Sequence, residues 1–216
     1  MQSLIMIDLD GTLIDTPHFE AWRNTALIMG GTELTHEDYI NHIAGRPRME
    51  GASRLLKLKR EVHSQGTLHS FNACELADYK QGEFQRLCAN TKLFNDALRL
   101  LERINDARQT VIFYTASQNA SDLFDRTMHQ SALLLKQPKM VFQQSDNQSR
   151  GELFQQLIGT RAAKDIHLID DSPYAADLAC GLGIHTWQIH RNVLEPKAGD
   201  PRVSIISSLD EFILPK

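Results

Sequence analysis

The feature that most constrains the fold is an apolar run near the N-terminus that ends in two aspartates and a glycine. Residues 4–7 read Leu-Ile-Met-Ile, and Asp8, Asp10 and Gly11 follow, with one leucine between the two acids. A short apolar run of this kind is typical of a strand that is buried in a parallel sheet. Open α/β sheets bind ligands at the carboxyl ends of their strands, so we expect the two acids at a functional edge.

Four further apolar runs resemble strands, and helical patterns separate most of them. The strand-like runs cover residues 110–114, 140–142, 166–169 and 185–189. The helical patterns cover residues 96–107, 118–128, 152–158 and 174–182. This alternation predicts an α/β protein whose core is a Rossmann-like, three-layer parallel sheet.

A long stretch separates the first two predicted strands. It holds about a hundred residues, whereas a crossover between parallel strands needs only about 10–12. Amphipathic helical patterns fill it at residues 17–29, 35–43, 49–61 and 72–89, with a predicted loop at 63–70. We therefore predict a helical cap domain at residues 15–92, inserted into a catalytic core formed by residues 1–14 and 93–216.

Net charge and cysteine content indicate which kinds of partner and site to expect. The net charge is −4, from 27 acidic and 23 basic residues, which gives no electrostatic reason to expect nucleic acid or a membrane surface. The 3 cysteines form no CxxC pair, so a disulfide framework or structural zinc site is not expected. There is no signal-peptide pattern and no membrane-spanning apolar run, so we expect a cytoplasmic protein. The charge balance favours a small-molecule substrate. The oligomeric state stays open.

A second acidic pair ends another predicted strand. Asp170 and Asp171 follow the apolar run at 166–169 and precede Ser172 and Pro173. A single aspartate at a strand end is often only a helix N-cap, but two pairs after two apolar strands favour a shared site. If the strands are neighbours, the carboxylates converge, and Mg²⁺ is the expected counter-ion because it prefers hard oxygen ligands.

A hydroxyl follows the second predicted strand. Thr115 ends that run, and Ala116, Ser117 and Gln118 lead into a predicted helix. The hydroxyl and the following backbone N–H groups are suited to bind an anion at the N-terminus of that helix. A threonine at this place can also be a simple N-cap, so the anion site depends on the neighbouring acids.

Three sequence segments together resemble motifs of the haloacid dehalogenase superfamily: DLDGTLIDT at 8–16, YTAS at 114–117 and LIDDS at 168–172. The resemblance implies that Asp8 is a nucleophile and Asp10 a general acid/base. It also implies Mg²⁺ bound by Asp8, by the backbone carbonyl of Asp10 and by Asp170 and Asp171. Superfamily members that cleave carbon–halogen bonds lack the acid at the position of Asp10, so the resemblance implies phosphoryl transfer.

Three segments of the insertion resemble the helical cap of β-phosphoglucomutase and related sugar phosphatases: DTPHFEAW at 15–22, GRPRMEGA at 45–52 and YKQGEF at 79–84. This resemblance implies that His18, Arg48 and Lys80 face the active site, with Arg48 binding a second phosphate or a sugar oxygen. The alternative for His18 and Lys80 is a place on a solvated helix face.

The third motif of the superfamily departs from the usual pattern. A lysine normally precedes the helix that leads to the acidic pair, and here Arg150 holds that place. Lys136 and Lys139 are the alternatives. Gln118 stands where the mutases carry a basic residue beside their phosphate site.

The leading functional hypothesis is a Mg²⁺-dependent phosphatase that hydrolyses a small phosphomonoester, with a sugar phosphate as the expected class, through an aspartyl phosphate. A β-phosphoglucomutase-type mutase is the alternative, since it uses the same two aspartates. A non-catalytic phosphate-binding protein is a lesser alternative.

Overall fold

The computed structural model describes residues 3–31, 33–62, 71–133, 135, 141–145, 147–191 and 200–215. The chain divides into two compact units. We call them the core unit, which comprises Met1–Asp15 and Lys92–Lys216, and the helical unit, which comprises Thr16–Thr91. No helix among the described residues has the length and apolar character that crossing a membrane requires.

The core unit is built on a 6-stranded sheet with the order β3-β2-β1-β4-β5-β6. The strands are β1 (Leu4–Asp8), β2 (Thr110–Thr115), β3 (Val141–Gln143), β4 (Ile166–Asp170), β5 (His185–Ile189) and β6 (Val203–Ile206). Every neighbouring pair is parallel, and β1 and β4 lie at the centre. The predicted α/β class with a Rossmann-like parallel sheet and a helical insertion is confirmed.

Eight α-helices lie within the described ranges. They are α1 (His18–Gly30), α2 (His36–His42), α3 (Arg48–Val62), α4 (Ala73–Leu87), α5 (Asn95–Asp106), α6 (Ala120–Ser131), α7 (Arg150–Ile158) and α8 (Pro173–Gly181). Short 3₁₀ helices cover Cys88–Asn90, Ala163–Asp165 and Leu209–Glu211. Helices α1–α4 belong to the helical unit and α5–α8 to the core unit.

Polar side chains fix several helix starts. Asn72 and Ser149 each form a capping box with the glutamate three residues later, which satisfies backbone N–H groups that have no partner inside the helix. Ser172 caps α8, and Pro173 follows at the first helical position, where its missing N–H costs nothing. These caps set where α7 and α8 begin, and both helices start at the carboxyl edge of the sheet.

Each unit buries its own apolar core. All five residues of β1 are buried, as expected for a central strand covered on both faces. One face of the sheet packs its apolar side chains against α7 and α8, through residues that include Met6, Leu168 and Phe154. In the helical unit, Trp22, Leu55 and Leu76 belong to a separate buried cluster.

Some predicted element boundaries were wrong. Strand β6 was not predicted, because the polar Ser204 leaves its four residues without a continuous apolar run. Helix α6 begins at Ala120 rather than at residue 118, since Asn119 is its N-cap residue. Strand β3 covers Val141–Gln143. The predicted loop at 63–70 lies outside the described residues.

The chain leaves and re-enters the core unit at neighbouring points. Ile14 forms an antiparallel bridge with Leu93. The Asp15 N–H donates to the Lys92 carbonyl at 2.9 Å, and the Phe94 N–H donates to the Leu13 carbonyl at 3.0 Å. The two chain segments that bound the helical insertion are therefore hydrogen-bonded side by side within the core unit.

Candidate active site

The central strands bring the predicted acids together. Strands β1 and β4 pair in register, with Ile7 opposite Ile169, so Asp8 and the Asp170–Asp171 pair leave the sheet at the same edge. Carboxylate oxygens of Asp8, Asp170 and Asp171 all lie within 4.8 Å of one another. Asp8 and Asp170 are buried, and Asp171 is partly exposed. This arrangement can present oxygen ligands to one divalent cation.

A tight turn after β1 carries Asp10. Gly11 has a φ of +77°, and a Cβ atom there would lie 2.3 Å from Asp171 Oδ2, so only glycine fits. The Gly11 N–H donates to the Ile14 carbonyl at 2.9 Å and closes the turn. Asp10 therefore lies next to the acid cluster, on a loop that approaches Asp171 closely.

Thr115 links the second strand to this turn. It is fully buried at the end of β2, and its hydroxyl donates to Asp10 Oδ2 at 2.8 Å. The Thr115 hydroxyl oxygen in turn accepts the Ser117 N–H at 2.8 Å. Ala116 and Ser117 are partly exposed, whereas Gln118 is exposed. In this structure the threonine hydroxyl orients the predicted acid/base, a contact that the sequence pattern does not reveal.

Arg150 reaches the acids from the first residue of α7. Its side chain is 2% exposed, and its Nη1 lies 3.7 Å from Asp8 Oδ1 and 3.6 Å from Asp170 Oδ2. The guanidinium thus lies between the predicted nucleophile and an acid of the second pair. Lys136 and Lys139, the alternative residues for this place, lie outside the described residues.

The cluster has more negative than positive charge. Burial, and then the neighbouring Asp170, raise the pKa of both Asp8 and Asp171 well above the usual value. Burial alone would lower the pKa of Arg150, but Asp170 and Asp8 raise it, so the guanidinium stays cationic. Among the residues that the structure describes, Arg150 is the cation that faces these carboxylates, and a bound divalent cation would offset their remaining negative charge. The donor set, which consists of carboxylate oxygens, fits Mg²⁺.

Two side chains of the core site were not singled out from the sequence. The Tyr114 hydroxyl donates to Asp170 Oδ2 at 2.5 Å, and the Arg150 guanidinium carbon lies 5.5 Å from the centre of the tyrosine ring. A tyrosine in an apolar strand reads as core, and its place directly before Thr115 is the one signal that could have pointed to it.

The second is Arg191, just beyond β5. Its Nη1 donates to both carboxylate oxygens of Asp96, at 2.8 and 2.7 Å, and its Nη2 donates to the Thr12 carbonyl. Its Nε contacts the Gly11 carbonyl at 3.4 Å. Arg191 therefore ties the turn that carries Asp10 to the N-terminus of α5. No sequence signal links residues so far apart in the chain.

In the helical unit, two of the predicted residues contact each other. Lys80 is 3% exposed, and its Nζ lies 2.7 Å from His18 Nδ1. The His18 ring stacks on Phe84, with a centroid distance of 4.2 Å. The Arg48 Nη1 donates to Gln81 Oε1 at 2.7 Å. The alternative in which Lys80 lies on a solvated helix face is wrong, because the residue is buried.

Comparison with known proteins finds likeness in structure and not in sequence. No protein-family model and no curated protein matches the sequence. Among solved structures, an archaeal β-phosphoglucomutase from Pyrococcus sp. strain ST 04 is 19% identical with a TM-score of 0.67, covering 98% of this chain and 95% of that chain. CbbY from Rhodobacter sphaeroides, in complex with phosphate, is 18% identical with a TM-score of 0.71, covering 98% and 96%.

A third neighbour, a family IA variant 3 hydrolase of the haloacid dehalogenase type from Entamoeba histolytica, is 17% identical with a TM-score of 0.67, covering 99% of this chain and 96% of that chain. Identities this low establish the fold and leave the chemistry to the site itself. The predicted resemblance is confirmed at that level: the chain has the haloacid dehalogenase fold, in the form found in β-phosphoglucomutase-like proteins.

Proposed function

We propose that this protein is a Mg²⁺-dependent phosphatase that hydrolyses a small phosphomonoester through an aspartyl phosphate on Asp8. The observation that carries the proposal is the buried cluster in which oxygens of Asp8, Asp170 and Asp171 lie within 4.8 Å of one another. The buried Arg150 lies between Asp8 and Asp170. A nucleophilic carboxylate beside metal ligands and a fixed cation is suited to phosphoryl transfer.

In the first step, a carboxylate oxygen of Asp8 forms a bond to phosphorus, and the bond from phosphorus to the ester oxygen breaks. Asp10 donates its proton to that oxygen, so the substrate leaves as a neutral alcohol. The Thr115 hydroxyl, 2.8 Å from Asp10 Oδ2, orients the acid for this transfer. Arg150 offsets negative charge on the phosphoryl oxygens.

In the second step, Asp10, now a carboxylate, takes a proton from water while the water oxygen bonds to phosphorus. The acyl phosphate bond breaks, which returns Asp8 as a carboxylate and releases inorganic phosphate. Asp8, the Asp10 carbonyl, Asp170 and Asp171 would hold Mg²⁺, which when bound would supply positive charge beside the phosphoryl oxygens.

The proposed substrate class is a sugar phosphate. The resemblance of the helical unit to the cap of sugar phosphatases supports this, because it implies that His18, Arg48 and Lys80 bind sugar oxygens and a second phosphate. The Lys80 ammonium is buried against His18 and Phe84, which gives the helical unit a fixed cationic group. The partner is thus proposed to be a small anionic molecule. A cytoplasmic location stays a prediction from the sequence.

The test is phosphate release from a panel of phosphosugars, nucleotides and phospho-acids, together with p-nitrophenyl phosphate. We expect release that stops with EDTA and falls by at least about 10³-fold in Asp8→Asn, because that amide cannot act as the nucleophile. Asp10→Asn is expected to slow turnover while substrate still binds. Metal-independent release, or full activity in Asp8→Asn, would contradict the proposal.

A phosphosugar mutase is the second candidate, because several solved structures with this fold are named β-phosphoglucomutases. A mutase must keep water from the phosphoenzyme until a bisphosphate reorients. The neutral Gln118, where the mutases carry a basic residue, favours hydrolysis. Conversion of β-glucose 1-phosphate to glucose 6-phosphate that depends on a bisphosphate would favour the mutase. Phosphate binding without turnover would favour a non-catalytic protein.

A further inference from the structure

The Tyr114 side chain is fully buried and contacts two charged residues of the candidate site, Asp170 and Arg150. Its hydroxyl donates to Asp170 Oδ2 at 2.5 Å. Its ring contacts Phe154 edge-on, with centroids 5.4 Å apart, and lies beneath the Arg150 guanidinium at 5.5 Å. One residue of β2 therefore contacts β4 and α7 at the point where their charged side chains meet.

The tyrosine hydroxyl completes the hydrogen bonding of Asp170. The other carboxylate oxygen of Asp170, Oδ1, accepts the Ser172 N–H at 2.7 Å. With Oδ1 and Oδ2 each held by a donor from a different element, the carboxylate plane is fixed. Arg150 Nη1 lies 3.6 Å from the oxygen that Tyr114 holds, so the position of Asp170 also sets the charge that Arg150 faces.

Packing alone does not account for a tyrosine here. The preceding residues of the strand, Val111, Ile112 and Phe113, are apolar, and a phenylalanine would fill the same volume. A buried hydroxyl costs free energy unless it has a partner, and a hydrogen bond to a charged acceptor is among the stronger ones. A flat guanidinium also stacks on an aromatic ring better than a lysine ammonium does. Tyr114 thus matches the arginine that stands in the third motif.

We propose that Tyr114 is a positioning residue for phosphoryl transfer, which fixes Asp170 through its hydroxyl and supports Arg150 through its ring. The proposal rests on the proposed function of this site. Tyr114 acts through the two charged residues, and its loss would misplace Asp170 and Arg150 relative to Asp8 and to a cation held by the acids. Supporting side chains of this kind commonly change metal affinity or activity by about 10–100-fold.

The test is Tyr114→Phe, which keeps the ring and removes only the hydroxyl. We expect kcat for p-nitrophenyl phosphate to fall by about 10–100-fold and Mg²⁺ affinity, measured by calorimetry on the whole protein, to weaken by about 10-fold. KM is expected to stay within about twofold, since the hydroxyl faces Asp170 rather than the substrate. A kcat and a Mg²⁺ affinity both within twofold of the wild type would overturn the proposal.

The matched control is Thr186→Val, which deletes another buried hydroxyl of the core unit. That hydroxyl donates to the Ile184 carbonyl at 3.1 Å. We expect this variant to lower thermal stability without changing Mg²⁺ affinity. Equal shifts in Mg²⁺ affinity for Thr186→Val and Tyr114→Phe would show a purely structural effect and overturn the proposal.

A rescue variant keeps the test decisive if Tyr114→Phe fails to fold. Replacing Tyr114 with 4-aminophenylalanine restores a donor at the same place and is expected to return kcat and Mg²⁺ affinity to within about threefold of the wild type. A folded rescue variant that stays as impaired as Tyr114→Phe, or that loses Mg²⁺ affinity by 10-fold or more, would overturn the proposal. Calorimetry separates this outcome from failure of the proposed function, which would appear as a wild-type protein that binds Mg²⁺ but releases no phosphate.

Discussion

Arg150 and Arg191 each face a buried aspartate in the core unit, yet their geometries differ. Arg191 Nη1 donates to both oxygens of Asp96, at 2.8 and 2.7 Å. Arg150 Nη1 lies 3.7 and 3.6 Å from oxygens of Asp8 and Asp170, which are ion-pair distances and too long for direct hydrogen bonds. The first geometry satisfies its acid. In the second geometry Arg150 makes no direct hydrogen bond to either acid, so it does not occupy the oxygen of Asp8 that the proposed function needs.

The aspartates beside the two arginines also differ in the direction in which their pKa is shifted. Burial opposes its ionisation, but hydrogen bonds from the Leu209 N–H and from Arg191 outweigh that effect and lower its pKa. For Asp8 the opposing effects give the opposite result: burial and the neighbouring acids outweigh Arg150 and raise its pKa. We infer that the pair of Arg191 and Asp96 mainly stabilises the fold. The acids around Arg150 lower the stability of the fold, which is expected of a site selected for function.

Among the variants that test this comparison of the two arginines, the largest effect is expected from Arg150→Gln, which removes the guanidinium beside Asp8 and Asp170 and keeps much of the side-chain volume. We expect kcat/KM for p-nitrophenyl phosphate to fall by about 10²–10³-fold, because the phosphoryl charge loses a fixed counter-charge. Steady-state kinetics measures the loss. Arg161→Gln, at an exposed arginine just beyond α7, is the control and should leave kcat/KM unchanged. An equal loss in both variants would remove the distinction drawn for Arg150.

The next effect concerns Mg²⁺ and pH. Because folding raises the pKa of Asp8 and Asp171, protonation of these carboxyl groups stabilises the folded state. This stabilisation is fully present below the unfolded-state pKa of about 3.9 and is lost as pH rises through the folded-state pKa. Mg²⁺ at 100 times its dissociation constant should add about 2.7 kcal/mol to the free energy of unfolding.

Urea unfolding with and without Mg²⁺ measures this effect. At a fixed Mg²⁺ concentration the gain should be larger at about pH 7.5 than at about pH 5, where protons compete with the metal for the carboxylates. The double variant Asp8→Asn with Asp171→Asn should lose most of the gain. A gain that is equal at both pH values would contradict the charge assignment.

A smaller effect is expected from Asp96→Ala, which breaks the satisfied pair. The side chains of Arg191 and Asp96 are 18% and 8% exposed, so we expect a loss of about 2 kcal/mol in the free energy of unfolding, between the values for surface and buried pairs. Activity per folded molecule should fall far less than in Arg150→Gln. Asp200→Asn, which weakens a more exposed pair with Arg202, is the control and should cost less stability than Asp96→Ala. A loss of activity per folded molecule in Asp96→Ala as large as the loss in Arg150→Gln would contradict the comparison.

The smallest effect is the acid dependence of the same pair. The lowered pKa of Asp96 gives stability that is present above the unfolded value of about 3.9 and lost as pH falls through the folded value. The stability difference between wild type and Asp96→Asn should therefore shrink below about pH 4. Chemical unfolding across this range measures the difference, and a gap that widens on acidification would refute the assignment.

The sheet and the acids at its edge were open to prediction because their signals are local. Apolar runs that end in Asp8 and in Asp170 identify two buried strands, and the parallel architecture predicts that their tips meet. Arg150 could be proposed because it precedes a helical pattern at the place where the superfamily resemblance puts a lysine. The inferences about the strands and acids use residues that are close in the chain or a rule of topology, and the inference about Arg150 uses the resemblance.

The supporting contacts were not open to prediction, because they join distant residues through side-chain geometry. Tyr114 has the pattern of a core residue until its hydroxyl is seen to reach Asp170, 56 positions away in the chain. Arg191 and Asp96 are 95 positions apart. Strand β6 is partly exposed, and its period is too irregular to indicate a strand. Such features depend on packing and leave no periodic trace in the sequence.

The hydrogen bond between the Asp15 N–H and the Lys92 carbonyl has a consequence for modularity. The two chain segments that bound the insertion are hydrogen-bonded to each other within the core unit. The insertion is therefore a loop whose two ends are already held together by the core unit. Loop-closure entropy grows only slowly with loop length, so the length and sequence between these points can change at little cost to the sheet. The chain thus has a junction at which the helical insertion can be exchanged while the carboxyl edge of the sheet stays the same.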